Sequence, residues 1–359
     1  MSPPTTQPPT TQPPQQQTAQ IPLQSFTLPT FPPETLTNPQ TTHLTLTSDI
    51  PLSSYTSLLT QPFTIPPLPR SITTLTLESF SLGYPPSFLP LLASNLPRLK
   101  SLVFFEQVLG GTDEEKGDVI NFLTQLSEVR EVHFLDVLMG KGVMRRVSGA
   151  LGGRVEFVGV SYTYRGEQVD LLPEIGEFEG WVREGVRGLR IAMVATPPEP
   201  DPEEEGRERE DVEKEEMGIL PPRIADTAMS SLVDKILALE TLILLDLTLF
   251  PLPLSSLLAI LTSCKKIKVL SVTLVLETSW EHVFERLRGN TGGVESLEIV
   301  GYPGNAEVVE GLKKSGEGGE GWLKENWLME LEGVEGVSVS VLRTRGEEWR
   351  KEKERWVKV

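Results

Sequence analysis

Apolar residues recur along this chain in a fixed phrase: one apolar position, two variable ones, a second apolar position, one variable, and a third apolar. Clear copies run over Ile72–Leu77, Leu99–Phe104, Val129–Phe134, Val186–Ile191, Leu239–Leu244, Ile267–Val272, Val294–Ile299 and Val334–Val339, and weaker ones surround Leu44 and Val155. The middle apolar residues at 44, 75, 102, 132, 155 and 189 lie 31, 27, 30, 23 and 34 residues apart, and those at 242, 270 and 297 lie 28 and 27 apart. A period of this size predicts a solenoid, because a single strand-and-helix unit cannot bury its own apolar face and must stack on its neighbours.

Residues two apart lie on one face of a strand, and the residue between them points the other way. Leu75 and Leu77, Leu102 and Phe104, Leu189 and Ile191, Leu242 and Leu244, Leu270 and Val272, and Leu297 and Ile299 are therefore expected to line one core. Between the phrases, helix-like stretches fall at residues 87–95, 117–126, 178–182, 227–237, 255–262 and 280–288. Leu257, Leu258 and Leu261, and again Val283, Phe284 and Leu287, share one helical face, as in a helix packed on a sheet. Strand then helix, repeated, predicts parallel strands with right-handed crossovers.

The phrase and its spacing resemble the leucine-rich repeat family over residues 41–342, in the helix-bearing form typified by ribonuclease inhibitor and by the repeat half of F-box proteins. The resemblance implies an α/β solenoid with a parallel sheet on its concave side and helices on its convex side. The family usually places Asn or Cys five residues after the middle apolar position; this chain has Phe80, Gln107, Val137, Val194, Leu247, Val275 and Tyr302, of which only Gln107 is an amide. The F-box relatives suggest a substrate adaptor. An F-box, however, is a compact helical segment, and residues 21–70 are broken by prolines that include Pro62, Pro66, Pro67 and Pro69.

Three stretches depart from the repeat. Residues 1–40 are dominated by Pro, Thr and Gln with Glu34 as the only charge, a composition expected to stay disordered and carrying neither a signal nor a transit pattern. Residues 197–218 form a second expected disordered insert; Leu189 and Leu242 lie 53 apart, and removing these 22 residues leaves 31, close to the period. Residues 343–359 are expected to be a charged C-terminal cap, with Trp349 and Trp356 seven apart on one helical face.

The net charge of −17 is concentrated: residues 199–216 hold eleven acids against Arg207, Arg209 and Lys214, leaving −9 for the remainder. Such a balance argues against nucleic acid as the partner, since phosphate binding needs clustered Lys and Arg. The most apolar window, Leu242–Leu261, is interrupted by Asp246, Pro251, Pro253, Ser255 and Ser256, so strand, turn and helix explain it better than a membrane span. The single cysteine, Cys264, cannot form an internal disulfide and is expected to be a small buried group. These features suit the cytoplasm or nucleus.

Catalytic signatures are sparse. The three histidines, His43, His133 and His282, sit in no hydrolase or metal motif, and no metal or cofactor is expected. Gly316, Gly318 and Gly321 match the dinucleotide spacing but lie in a Gly and Glu tract that would present carboxylates to a phosphate, so a loop is expected. The outward strand positions carry more information. Thr76, Val103, His133, Glu156, Arg190, Ile243, Ser271, Glu298 and Ser338 should form one column on the concave face, with Phe105, Leu135 and Val158 two residues further along. Aromatic and Arg anchors on a mixed polar surface suit protein binding. The expected partner-binding residues are Val103, Phe105, His133, Glu156 and Arg190, in a non-enzymatic module that binds another protein. The rivals are an enzyme built from Glu156, Asp136 and His133, and a diverged solenoid with no specific partner surface.

Overall fold

The computed structural model describes residues 23–28, 40–49, 51, 54, 65, 67–80, 82–110, 113–163, 173–194, 226–305, 307–308, 311, 322–341, 345–352 and 355–359. Thirteen strands form one sheet in strict chain order: β1 (Leu23–Leu28), β2 (His43–Ser48), β3 (Thr74–Glu78), β4 (Ser101–Leu109), β5 (Glu131–Met139), β6 (Phe157–Thr163), β7 (Gly188–Val194), β8 (Leu244–Leu252), β9 (Val269–Leu276), β10 (Ser296–Pro303), β11 (Gly336–Val341), β12 (Arg345–Glu352) and β13 (Arg355–Lys358). Every pairing from β1 to β11 is parallel, and the last two are antiparallel.

Helices alternate with the strands at Phe88–Asn95, Asp113–Gln125, Val143–Leu151, Ile175–Phe178, Asp226–Leu237, Leu254–Ser263, Trp280–Leu287 and Glu325–Leu328. All but the fourth and last are eight residues or longer. Helices need about 10 Å of width each, whereas strands stack at about 4.8 Å, so layering one on the other bends the stack with the sheet inside. The strand face away from the helices is thereby the concave one.

The core follows the phrase. Its first apolar residue (Ile72, Leu99, Val129, Val186, Ile267, Val294) is buried in the turn leading into the strand, and the next two point from the strand into the same continuous cluster, which runs from Leu44 to Trp356. The Phe104 and Phe134 rings stack across neighbouring strands at 5.3 Å, and Phe104 meets Phe122 of the helix layer edge-on at 6.5 Å.

A backbone ladder fixes the register. The residue just before each strand offers one carbonyl to two successive N–H groups of the next unit: Arg130 O accepts from Glu156 N at 2.7 Å and Phe157 N at 3.0 Å, and Glu156 O accepts from Arg187 N at 2.8 Å and Gly188 N at 3.1 Å. The same double acceptance recurs at Thr42, Thr73, Lys100, Arg187, Ile243, Lys268 and Glu295.

The structure departs from the sequence reading in four places. At β6 and β8 the phrase is slid by three residues: Val158 and Val160 pair with Leu189 and Ile191, and Leu245 and Leu247 pair with Leu270 and Val272. Val155 and Leu242 are the buried lead-in residues, and Leu244 is only half-buried. The phrase overlaps itself here, since Leu239, Leu242 and Leu244 fit it as well as Leu242, Leu245 and Leu247. Second, β1 falls inside the stretch expected to lack structure; an average over forty residues conceals a local Phe26-Thr27-Leu28 that registers with Leu46-Thr47-Ser48. Third, β12 and β13 are paired antiparallel strands rather than a helix, with Val337 opposite Trp349 and Lys351 opposite Trp356. Fourth, the helix Val143–Leu151 was not expected, although Val143, Met144, Val147 and Leu151 are buried at helical spacing. The insert at 197–218 and the glycines at 316–321 lie outside the described residues.

The window Leu242–Leu261 divides as expected into β8, an N-cap at Pro253 and a helix. Among the described residues no helix is long and apolar enough to cross a membrane.

Candidate interaction surface

On β3, β4 and β5 burial alternates strictly at first, so Val103, Phe105, His133 and Leu135 stand on the concave face, each partly exposed, while Leu102, Phe104, Val132 and Phe134 are buried beneath them. The alternation then skips a beat. Ser79, Glu106 and Asp136 adopt left-handed φ of 59°, 46° and 52°, and these positions are neighbours in the sheet. One residue in this conformation acts as a bulge and reverses the inward and outward faces beyond it, which is why Gln107 and Val137, not Glu106 and Asp136, are buried. Asp136 caps the distortion by accepting the Thr163 backbone N–H.

Register across the middle strands places Val103, His133, Gly159, Arg190, Asp246 and Ser271 in one row. Phe105, Leu135, Ser161 and Ala192 form the parallel row two residues on. His133 leans along the sheet over Gly159, where any Cβ would run into its ring. Its Nε2 lies 2.8 Å from Glu131 Oε1. Arg190 extends into solvent, with Nε 3.2 Å from Asp246 Oδ2. Asp246 is itself buried, and its Oδ1 accepts from Thr248 N at 3.0 Å and Thr248 Oγ1 at 2.7 Å.

Of the five expected binding residues, the structure brings Val103, Phe105, His133 and Arg190 onto this face. Glu156 does not belong to the row, because the three-residue slide at β6 puts Gly159 there. Glu156 instead sits on the rim just before the strand, 3.7 Å from Arg187. The same slide takes Ile243 out of the row in favour of Asp246, and it sends Val158 into the core. Sequence reading missed Leu135's neighbour Ser161 and the Asp246 anchor; a Gly between two valines in Val158-Gly159-Val160 was the available signal for the true register.

The proposed carboxylate and histidine trio is not assembled. His133 turns to Glu131, Asp136 to Thr163, and Glu156 to Arg187. Elsewhere, His43 Nε2 lies 3.1 Å from Thr76 Oγ1, and His282 is exposed. Cys264 is buried, its Sγ 3.5 Å from Ile236 O, and burial pushes the thiol above its ordinary pKa, which disfavours the thiolate. Gln107 is buried: its Nε2 donates to Leu77 O at 2.6 Å, and its Oε1 accepts from the Tyr84 hydroxyl. Among the described residues no group of His, Cys, Asp and Glu is arranged to hold a metal ion.

Sequential parallel strands alternating with helices on one face make this chain a leucine-rich-repeat-like solenoid. No protein-family profile matches it, and no curated protein matches it. Among solved structures, it is similar to the leucine-rich repeat-containing protein LegL7 from Legionella pneumophila at 11% identity and a TM-score of 0.41, covering 90% of this chain and 92% of that one.

Proposed function

We propose that the chain is a non-enzymatic interaction module that binds another protein on the concave face of β4 to β7. The observation that carries this reading is the meeting of two rows: Phe105 and Leu135 offer apolar area beside His133 and the solvent-reaching Arg190. Side chains about 4.8 Å apart form one patch, and an apolar centre with an Arg at its border is the composition of interface hot spots. Asp246 holds the Arg190 guanidinium in place, so a partner carboxylate meets a side chain already partly ordered.

The test is recovery of partners from extract by the intact protein and by Phe105→Ala and Arg190→Gln, with melting temperature as the control. Phe105→Ala is expected to weaken a reproducible partner by about 2 kcal/mol while leaving melting nearly unchanged. Arg190→Gln is expected to remove the salt sensitivity of that binding. Retention of every partner by both variants overturns the reading.

A further inference from the structure

The rim where turns lead into β5 to β9 carries a groove of about 560 Å³ lined by Arg130, Gly153, Arg154, Glu156, Gly185, Arg187, Thr241, Ile243 and Lys266. Four cations face one carboxylate there, in a chain whose net charge is −17. Among the described residues Arg187 is the one groove cation within ion-pair distance of a carboxylate, Glu156 at 3.7 Å. Arg130 spends Nη1 on the backbone oxygens of Ser127 and Val129, at 3.3 and 3.0 Å. Arg154 donates Nη2 to Leu123 O at 2.6 Å, but its Nε is buried without a hydrogen-bond partner. Arg183, outside the groove lining, donates Nη1 to Ser148 O at 3.1 Å and leaves Nε and Nη2 buried and unpaired.

Like charges crowded at a partly desolvated rim oppose folding unless they serve something. Burial and the neighbouring Arg130 hold the Arg154 guanidinium below its ordinary pKa, and burial with Arg154 does the same to Arg183. An anion laid in the groove would relieve that repulsion. Three of the four cations are arginines, whose planar forks match carboxylates in a bidentate way. Gly153 and Gly185 leave the floor without side chains, so a ligand backbone can approach closely. The groove crosses the lead-in turns of five successive strands, about 19 Å, the length of an extended segment of about six residues. Among the described residues no aromatic side chain lines it, so it lacks the stacking platform that single-stranded nucleic acid uses.

We infer that this rim groove is a second binding site, distinct from the concave patch, for an extended acidic peptide segment of a partner protein. Arg130, Arg154, Arg187 and Lys266 hold its carboxylates, and Glu156 limits the affinity.

A fluorescently labelled hexaglutamate peptide tests this by polarisation against the full chain at low salt, with hexaglutamine and a six-residue oligothymidylate as comparisons. Hexaglutamate is expected to bind more tightly than either, and to weaken at least about fivefold on raising salt to physiological strength. Arg130→Gln and Arg187→Gln are each expected to weaken it about fivefold, while Glu156→Gln strengthens it, a change of sign that loss of folding cannot produce. Phe105→Ala, on the concave patch, should leave hexaglutamate affinity unchanged, so this site and the concave one can fail separately. Hexaglutamate binding no tighter than hexaglutamine, equal affinities for the three rim variants, or tighter binding of the oligothymidylate overturns the proposal.

Discussion

The strands β3 to β5 and the strands β6 to β9 use the same core phrase but treat their concave faces differently. In the first group the outward residues are partly exposed, and on β4 and β5 they are large: Val103, Phe105, His133 and Leu135. In the second, Ser161, Ala192, Thr248, Ser271 and Thr273 are small or hydroxylic and buried, and Asp246 is buried with them. The sheet also breaks there. β7 and β8 pair only over Gly188–Leu244 to Arg190–Asp246, and between Leu247 and Pro251 β8 takes up three extra residues relative to β9. Thr248 repairs the seam: its Oγ1 accepts from Met193 N at 3.4 Å and its carbonyl accepts from Thr273 Oγ1 at 2.8 Å. One part of the inner face is thus open to solvent, while in the other the small residues and Asp246 are occupied in holding the sheet together and Arg190 still reaches out into solvent.

Substitutions can break or sharpen that contrast. The largest effect should come from the core the two groups share: Leu270→Ala, fully buried, is expected to cost about 2–5 kcal/mol in denaturant unfolding. Next is the inner face of the second group. Asp246→Ala removes the carboxylate that accepts from Thr248 and pairs with Arg190 and is expected to cost about 1–3 kcal/mol, whereas Val103→Thr, on the same face four strands away, should fall within about 0.5 kcal/mol. Equal costs for these two would erase the distinction. The smallest effect is expected at the bulge: Glu106→Gly relieves a left-handed φ and should change stability by no more than about 1 kcal/mol, in the stabilising direction.

The parts that were legible in the sequence and the parts that were not differ for physical reasons. Burial of Leu75, Leu102, Phe104, Leu189, Leu270 and Leu297 follows directly from apolar spacing, because a half-buried strand admits only one face to the core. The same spacing is ambiguous where apolar residues are dense, and around Val155 and Leu242 two registers satisfy it; only hydrogen-bonding with the neighbouring strand chooses between them. That ambiguity cost the surface more than the core. It moved Glu156 from the concave row to the rim and hid Gly159 and Asp246, yet it left Leu242 buried in either reading. The bulge at Ser79, Glu106 and Asp136 had no glycine to announce it. At the C-terminus, tryptophans seven apart satisfy a helix, but an antiparallel strand pair covers the last open strand with hydrogen bonds as well as apolar area. Glu347 fastens it there, accepting the Trp322 N–H at 2.7 Å and pairing with Lys358 at 3.1 Å.

The doubled carbonyl ladder before each strand acts as a frame marker. Each unit takes its position from the carbonyl of the unit before it, at one edge only, so no error in length accumulated further along a unit is handed on to the next. The forty-nine residues between β7 and β8, a bulge in β8 and unequal helices are all absorbed before the count is restarted at Ile243. The chain can therefore lengthen, shorten or decorate its far edge freely, while the near edge, where the basic groove lies, keeps a constant pitch on which charges can be placed like marks on a ruler.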